Sequence, residues 1–464
     1  MDKPQAILPQ VLSELDKAAL IELIIQQGER LQELWQQNEG LQQQNETLRK
    51  QLEELEKAAK RPVAPFRIAD KDRKGHKKRS GAPVGHPAHY RKVSGPIDEQ
   101  IEVQLAACPH CQGAVSAVKP LGQVIEELVV RPWRVSLTTY EGHCSRCGRV
   151  RSRHGYQTTT ASGSAGCQLG INAATVAVLL NHRYGMSKRK VCELFSDYFH
   201  LPLSIGGLVQ LQHRLAQGLE PDYQHLRQQA RQSSVLYSDE TSWYVGEPKG
   251  WLWTFTNADF TLYQVAQSRG REVIEGLIGK NYPGVLVSDC LVVYENVSQK
   301  QQKCYAHHLR AIGKALQAEP QSQYLLDWQA LLLSAIEHKK QQGRLSQEDY
   351  QDGMVNLSAR AAKLLQPQWA WPQRASPAEE QIFKRLSKQA DHLFTFLNYP
   401  QVEATNNRAE RSLRPAVIQR KIACGNKTRK GADTWQILAS LVVTTHQNQM
   451  DFSQKVRAVY QQRL

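Results

Sequence analysis

Leu34, Leu41, Leu48 and Leu55 recur every seven residues, and Leu31, Asn38, Asn45 and Leu52 stand three positions before them. Leucines at all four d positions and the outer two a positions, in a Gln- and Glu-rich background, predict one helix over residues 11–60 that pairs as a coiled coil. Two Asn at a positions favour a register in which they face each other, most simply in a parallel dimer. A single amphipathic helix packed on its own chain is the plain alternative. The period ends before Pro62, and residues 61–95 carry no apolar period.

Farther along, Ile171–Asn181 is apolar at helical spacing. Ser187 is placed to cap Lys188–Phe199, and Ser204 to cap Ile205–Ala216 after the break at Leu201-Pro202. Two helices on a short turn, with Arg183, Lys188, Arg189, Lys190, His213 and Arg214 nearby, fit a helix-turn-helix and a plain helical hairpin equally well. From Ser234 the rhythm changes. Ser234–Tyr244, Gly250–Thr256 and Phe260–Ala266 read as strands, the last two joined by the turn signal Asn257-Ala258-Asp259. Glu272–Ile278 reads as a helix, Gly284–Ser288 as a short buried strand and Lys303–Leu316 as a helix. Three strands, a helix, a strand and a helix is the opening order of a ribonuclease-H-like α/β fold. Residues 320–400 read as helical throughout and predict an all-α insertion between the fourth strand and a helix over Asn407–Arg420; Thr434–His446 predicts a helix covering the sheet.

Charge changes the picture of the non-periodic stretch. Lys and Arg outnumber Asp and Glu by 59 to 44, a net charge of +15, which points to a polyanionic partner. Between Lys57 and Lys92 twelve basic residues, Lys74, Lys77, Lys78 and Arg79 among them, face only Asp70 and Asp72. A tether of that composition holds phosphates electrostatically, although a solvated linker has the same appearance. No run approaches 18 apolar residues, and the N-terminus lacks a signal-peptide pattern, so neither a membrane span nor secretion is expected.

Nine cysteines without a secretory pattern argue for a reducing compartment and against a disulfide framework. Four of them form the pairs Cys108-x-x-Cys111 and Cys144-x-x-Cys147. Each pair sets two thiolates on a tight turn, where both can reach one tetrahedral Zn²⁺. The β-like runs Val124–Val130 and Trp133–Tyr140 are expected to bring the second turn beside the first.

The acids define the chemistry. Asp239 follows Val235-Leu236-Tyr237 on the first strand, and Asp289 ends Val285-Leu286-Val287-Ser288 on the fourth. Those strands are neighbours in a ribonuclease-H-like sheet, so both carboxylates can face one pair of hard, oxygen-seeking cations. Glu410 is the candidate for a third acid. It opens the helix Asn407–Arg420 among Arg408, Arg411 and Arg414, and its spacing also fits an N-terminal capping box. Lys427, Arg429 and Lys430, around Gly425 and Gly431, form a basic loop that suits a phosphate and equally suits an exposed turn.

Ser238-Asp239-Glu240-Thr241, Ser288-Asp289 with Tyr294, Cys304-Tyr305-Ala306-His307, and Asn406-Asn407-Arg408-Ala409-Glu410-Arg411 with Arg414-Pro415 occur in that order. Together they resemble the DDE transposases of the insertion-sequence sixty-six family, with the Asn-Asn-x-Ala-Glu-Arg block the most specific element. The resemblance covers most of the chain, and Thr405, Ile422 and Cys290 depart from the family pattern. It implies Asp239, Asp289 and Glu410 as the catalytic triad, two Mg²⁺ (or Mn²⁺) per active site, and cleavage of element ends with joining of the 3′-OH to target DNA.

The expected organisation is a multidomain α/β protein: a coiled coil (1–60), a basic flexible linker (61–95), a zinc-binding domain (96–155) with one structural zinc, and a helical DNA-binding domain (156–228). A ribonuclease-H-like core in two parts (229–318 and 401–464) then surrounds a helical insertion (319–400). Expected partners are double-stranded DNA, a second copy through the coiled coil, and small accessory proteins of the same element, with no membrane. The expected location is the bacterial cytoplasm, at the nucleoid when DNA-bound. A catalytically inactive, zinc-containing DNA-binding protein, such as a decayed transposase or repressor, is the rival reading.

Overall fold

The computed structural model describes residues 17–59, 96–161, 168–246, 250–366 and 375–462. The chain divides into two compact units, Met1–Glu126 and Glu127–Leu464. In the first, helix α1 spans Lys17–Ala59. It presents Leu31, Leu34 and Leu41 roughly half exposed, together with Ile21, Ile25 and Trp35. Among the described side chains, this part of the heptad stripe is exposed. The basic stretch with Lys74, Lys77, Lys78 and Arg79 lies outside the described residues. Later in this unit Cys108 begins a tight turn: its N–H donates to Gly113 O and its carbonyl accepts from Gln112 N, both at 2.9 Å.

The second unit starts with a small antiparallel hairpin, β1 (Glu141–Cys144) and β2 (Gly148–Arg151), with Cys144 opposite Gly148. The β-rich pattern places strands at Val124–Val130 and Trp133–Tyr140, but among the described residues no strand forms there. Ile125, Leu128, Val129 and Trp133 stand exposed instead. β-branched and aromatic side chains favour a strand only where a neighbouring strand and a covered face exist.

Helices α2 (Ile171–His182), α3 (Lys188–Asp197) and α4 (Ile205–Gln232) follow. Ser187 Oγ accepts from Lys190 N and Ser204 Oγ from Gly207 N, so both serines cap as their sequence context predicts. Helix α4 runs well beyond Ala216, straight through Pro221. Leu208, Leu211, Leu215, Leu219, Tyr223, Leu226 and Ala230 continue one buried stripe, and burial of that stripe outweighs the hydrogen bond that proline removes.

The central sheet has the order β5-β4-β3-β6-β7. Strands β3 (Val235–Trp243), β4 (Gly250–Thr256) and β5 (Thr261–Ala266) form an antiparallel meander. Asn257 Oδ1 accepts from the backbone N–H of Asp259 and of Phe260 at the β4–β5 turn. After helix α5 (Arg271–Ile278), β6 (Val285–Ser288) pairs parallel to β3, and β7 (Gln301–Lys303) pairs parallel to β6. Alternation sorts the side chains. Leu236 and Leu286 pack with α2–α5, while Val235, Tyr237, Val285 and Val287 pack with the helices on the opposite face.

That opposite face is covered by α6 (Tyr305–Ala318), α7 (Gln323–Lys340), α8 (Gln347–Leu364), α9 (Pro377–Ser387) and the short α10 (Thr395–Asn398). Helix α11 (Asn407–Ala423) then returns across β3 and β4. Helix α12 (Arg429–Gln447) lies over β5 and α4, and α13 (Phe452–Gln462) packs on α2 and α4. Helices α2–α4 share their hydrophobic cluster with the sheet and with α12 and α13. Among the described residues no helix is long and apolar enough to cross a membrane.

Candidate active site

The parallel pairing of β3 and β6 sets Val235, Leu236 and Tyr237 against Val285, Leu286 and Val287. Continued by two residues, this register puts Asp239 level with Asp289, just past the last paired positions. Asp289, directly after the end of β6, therefore lies beside Asp239, the middle residue of the longer β3. Asp239 Oδ1 accepts from Glu240 N at 2.9 Å, and Asp289 Oδ1 accepts from Leu291 N at 2.9 Å, so backbone amides orient both groups.

Glu410 arrives from the first turn of α11. It does not act as the glutamate of a capping box: Asn406 is the N-cap residue and makes no side-chain cap bond. Asn406 is instead buried, donating from Nδ2 to Ser238 O at 2.8 Å and from its backbone N–H to Cys304 Sγ at 3.1 Å. One asparagine thus ties the start of α11 to the residue before Asp239. Arg420, nearer the other end of α11, bonds Thr241 and Ser242 of β3.

The acids feel one another. Burial, then repulsion from Glu240, Asp289 and Glu410, pushes the Asp239 carboxyl up to about 7, against the opposing pull of the Glu240 amide. Glu410 Oε1 is buried without a hydrogen-bond partner; the Arg310 guanidinium lies 3.8 Å away and the His307 ring, which burial holds toward its neutral form, 4.0 Å away. Behind Asp289, Lys303 is fully buried with Nζ 3.3 Å from Ser288 Oγ; burial draws it down to about 8.

Glu240 faces the other side of the sheet, in an arrangement not legible from the sequence. Its side chain is 1% exposed; Oε1 pairs with Arg269 at 2.7 Å and Oε2 accepts from the Tyr294 hydroxyl at 2.6 Å. Arg269 in turn lies over the Trp251 ring at 4.5 Å. Tyr294 closes a 3₁₀ turn, Val292–Tyr294, shortly after Asp289, so this network also fixes the segment that follows the second aspartate.

The basic candidates separate. Arg408 is engaged with Glu403 at 3.0 Å, Asn257 O at 3.3 Å and the Tyr237 ring. Arg411 and Arg414 are exposed. Arg429 pairs with Asp433, while Lys427 and Lys430 are exposed at the start of α12, where Thr428 caps. The connection into α12 is tightly built: a Cβ on Gly425, whose φ is +101°, would meet Tyr244 O at 2.6 Å. Each cysteine pair forms its own knuckle, and the Cys108 and Cys144 thiols are lowered by the backbone amides of their turns. In addition, Cys304, His307 and Glu410 each bring one ligand atom within 4.8 Å of the other two, although the sequence pattern assigns no metal to that C-x-x-H spacing.

A mixed sheet of this order, flanked by many helices, is compatible with the ribonuclease-H-like domain of a transposase. The family model described as Transposase IS66 family matches residues 167–434, more than half of the chain. The chain belongs to this transposase family, which implies a DNA-processing enzyme that binds DNA and uses a divalent metal ion. No curated protein matches it.

Proposed function

We propose that the protein cleaves the ends of its element and joins the freed 3′-OH to target DNA, with Asp239, Asp289 and Glu410 as its catalytic acids. The observation carrying this reading is the level placement of Asp239 and Asp289 on adjacent parallel strands, with Glu410 close enough to raise the Asp239 carboxyl. The donor set suits a hard cation: three carboxylates repel one another, and Glu410 Oε1, 3.8 Å from the largely exposed Arg310 guanidinium, accepts no hydrogen bond. These residues would hold two Mg²⁺ (or Mn²⁺), which when bound activate the attacking oxygen and stabilise charge at the phosphate.

The chain's own groups do the rest. The Glu240 and Leu291 amides aim the two aspartates, and Asn406 holds the start of α11 against β3 so that Glu410 keeps its place. Arg411 and Arg414, exposed on that same helix, contact DNA phosphates, as do Lys427 and Lys430 and the basic stretch around Lys74–Arg79. Water attacks the end phosphodiester and releases a 3′-OH, which then attacks a target phosphodiester. No side chain forms a covalent bond. Cys108 with Cys111, and Cys144 with Cys147, are proposed as pairs of thiolate ligands for structural zinc, on the chemistry of each knuckle. The exposed Leu31, Leu34 and Leu41 of α1 support a dimer that brings two active sites to two ends.

The deciding experiment is Asp289→Asn. End cleavage with Mg²⁺ is expected to fall at least ~10³-fold while DNA affinity stays within about twofold. Cleavage at the parent rate would end the three-acid mechanism and favour a DNA-binding protein without catalysis.

A further inference from the structure

We propose that Cys304, His307 and Glu410 form a second metal site, suited to Zn²⁺ rather than Mg²⁺, whose occupation withdraws Glu410 from the acidic set. The regulatory half of this proposal rests on Glu410 being an active-site acid; the zinc site itself does not. One ligand atom from each residue lies within 4.8 Å of the other two. Cys304 and His307 bracket the first turn of α6, and Glu410 meets them from the first turn of α11. His307 Nδ1 and Glu410 Oε1 stand 4.0 Å apart, each buried and without a hydrogen-bond partner. Nitrogen and oxygen ligands on a tetrahedral zinc, with bonds of about 2 Å, stand roughly 3.3 Å apart. A small side-chain rotation covers that difference.

Donor chemistry selects the metal. Thiolate and imidazole favour zinc, whereas Mg²⁺ keeps to oxygen. Cys304 Sγ already accepts from the Asn406 N–H at 3.1 Å, a contact that a metal-bound thiolate retains. Three protein ligands leave a fourth position for water. The competitor is Arg310, whose Nη2 lies 3.8 Å from Glu410 Oε1 and 3.4 Å from His307 Nε2. Its side chain is 65% exposed, so it can swing into solvent when the metal binds.

Co²⁺ titrated into metal-free full-length protein tests the site, since a cobalt–thiolate bond has its own near-ultraviolet band. The parent is expected to bind one Co²⁺ more than Cys304→Ser or His307→Gln, with the thiolate band in the difference spectrum. Knuckle cysteines contribute equally to all three. Glu410→Gln is expected to weaken that extra Co²⁺ at least tenfold, and Arg310→Ala to tighten it. Equal stoichiometry in parent and variants overturns the proposal; His307→Gln, at a partly exposed position, decides the matter if Cys304→Ser does not fold. In the second arm, micromolar Zn²⁺ slows Mg²⁺-dependent end cleavage by the parent and not by His307→Gln. Equal zinc sensitivity overturns the regulatory half. Normal cleavage by Asp289→Asn beside an intact cobalt difference would remove the catalytic reading while leaving the zinc site standing.

Discussion

Asp239 and Glu240 are consecutive residues of β3 on opposite faces of one sheet, and their carboxylates meet opposite fates. Glu240 is sealed against Arg269 and Tyr294, with both oxygens satisfied. Asp239 looks toward Asp289 and Glu410, and its carboxyl rises to about 7. A buried acid placed for stability is paired; an acid set among others of its own charge costs stability until a cation joins it. The two faces of one strand thus hold a paired acid and an acid set among like charges, the second being the proposed site.

Breaking the paired side is expected to have the larger effect. Glu240→Ala strands the Tyr294 hydroxyl and frees Arg269, at a cost of about 3 kcal/mol in chemical denaturation. A loss under ~0.5 kcal/mol would remove the distinction drawn here. Relieving the unpaired side has the opposite sign. The Asp239 carboxyl sits at about 7 when folded and near ~4 in the unfolded chain, so its contribution to stability is full below that lower value and is lost as pH rises toward 7. In EDTA, Asp239→Asn is therefore expected to stabilise the protein at pH 8 by on the order of 1–2 kcal/mol, with the gain vanishing near pH 4. Destabilisation at pH 8 would contradict the repulsion inferred for this cluster.

Asn406→Ala sharpens the comparison by loosening α11 while sparing all three acids. It should cost about 1 kcal/mol for the lost bond to Ser238 O and slow end cleavage more than that stability change explains. An unchanged cleavage rate would show that Glu410 does not depend on this tie. The smallest stability effects belong to Arg411→Ala and Arg414→Ala, expected within ~0.5 kcal/mol of the parent. Each should reduce the salt-dependence slope of DNA binding by about 1, and an unchanged slope would exclude that arginine from phosphate contact.

Much of the sheet was legible because hydrophobic alternation and turn chemistry agreed. The β4–β5 turn, the strand ending at Asp289 and the serine caps of α3 and α4 all followed local rules. Strand β7 was not legible. Its residues Gln301, Gln302 and Lys303 are polar yet fully buried, and only tertiary partners explain them: Gln302 accepts from Phe396 N, and Lys303 reaches Ser288. Helix α4 outran its expected end because packing overrode Pro221, and the runs before β1 stayed irregular because propensity found no sheet to join. At the site, the two aspartates could be placed from strand order. Glu410 could be named by motif, but the burial of its Oε1 beside His307 and the pairing of Glu240 depend on contacts that no local pattern records.

Strand β6 delivers Asp289 early, whereas α11 waits until α6–α10 have passed, with 120 residues between Asp289 and Glu410. During synthesis the growing polypeptide therefore owns two acids of the set long before it owns the third. A chain halted ahead of Asn406 keeps the strands that carry both aspartates but has neither Glu410 nor the asparagine clasp on β3. On the proposed three-acid mechanism, competence to cut would be completed only with this last acid, and half-made copies would leave DNA uncut.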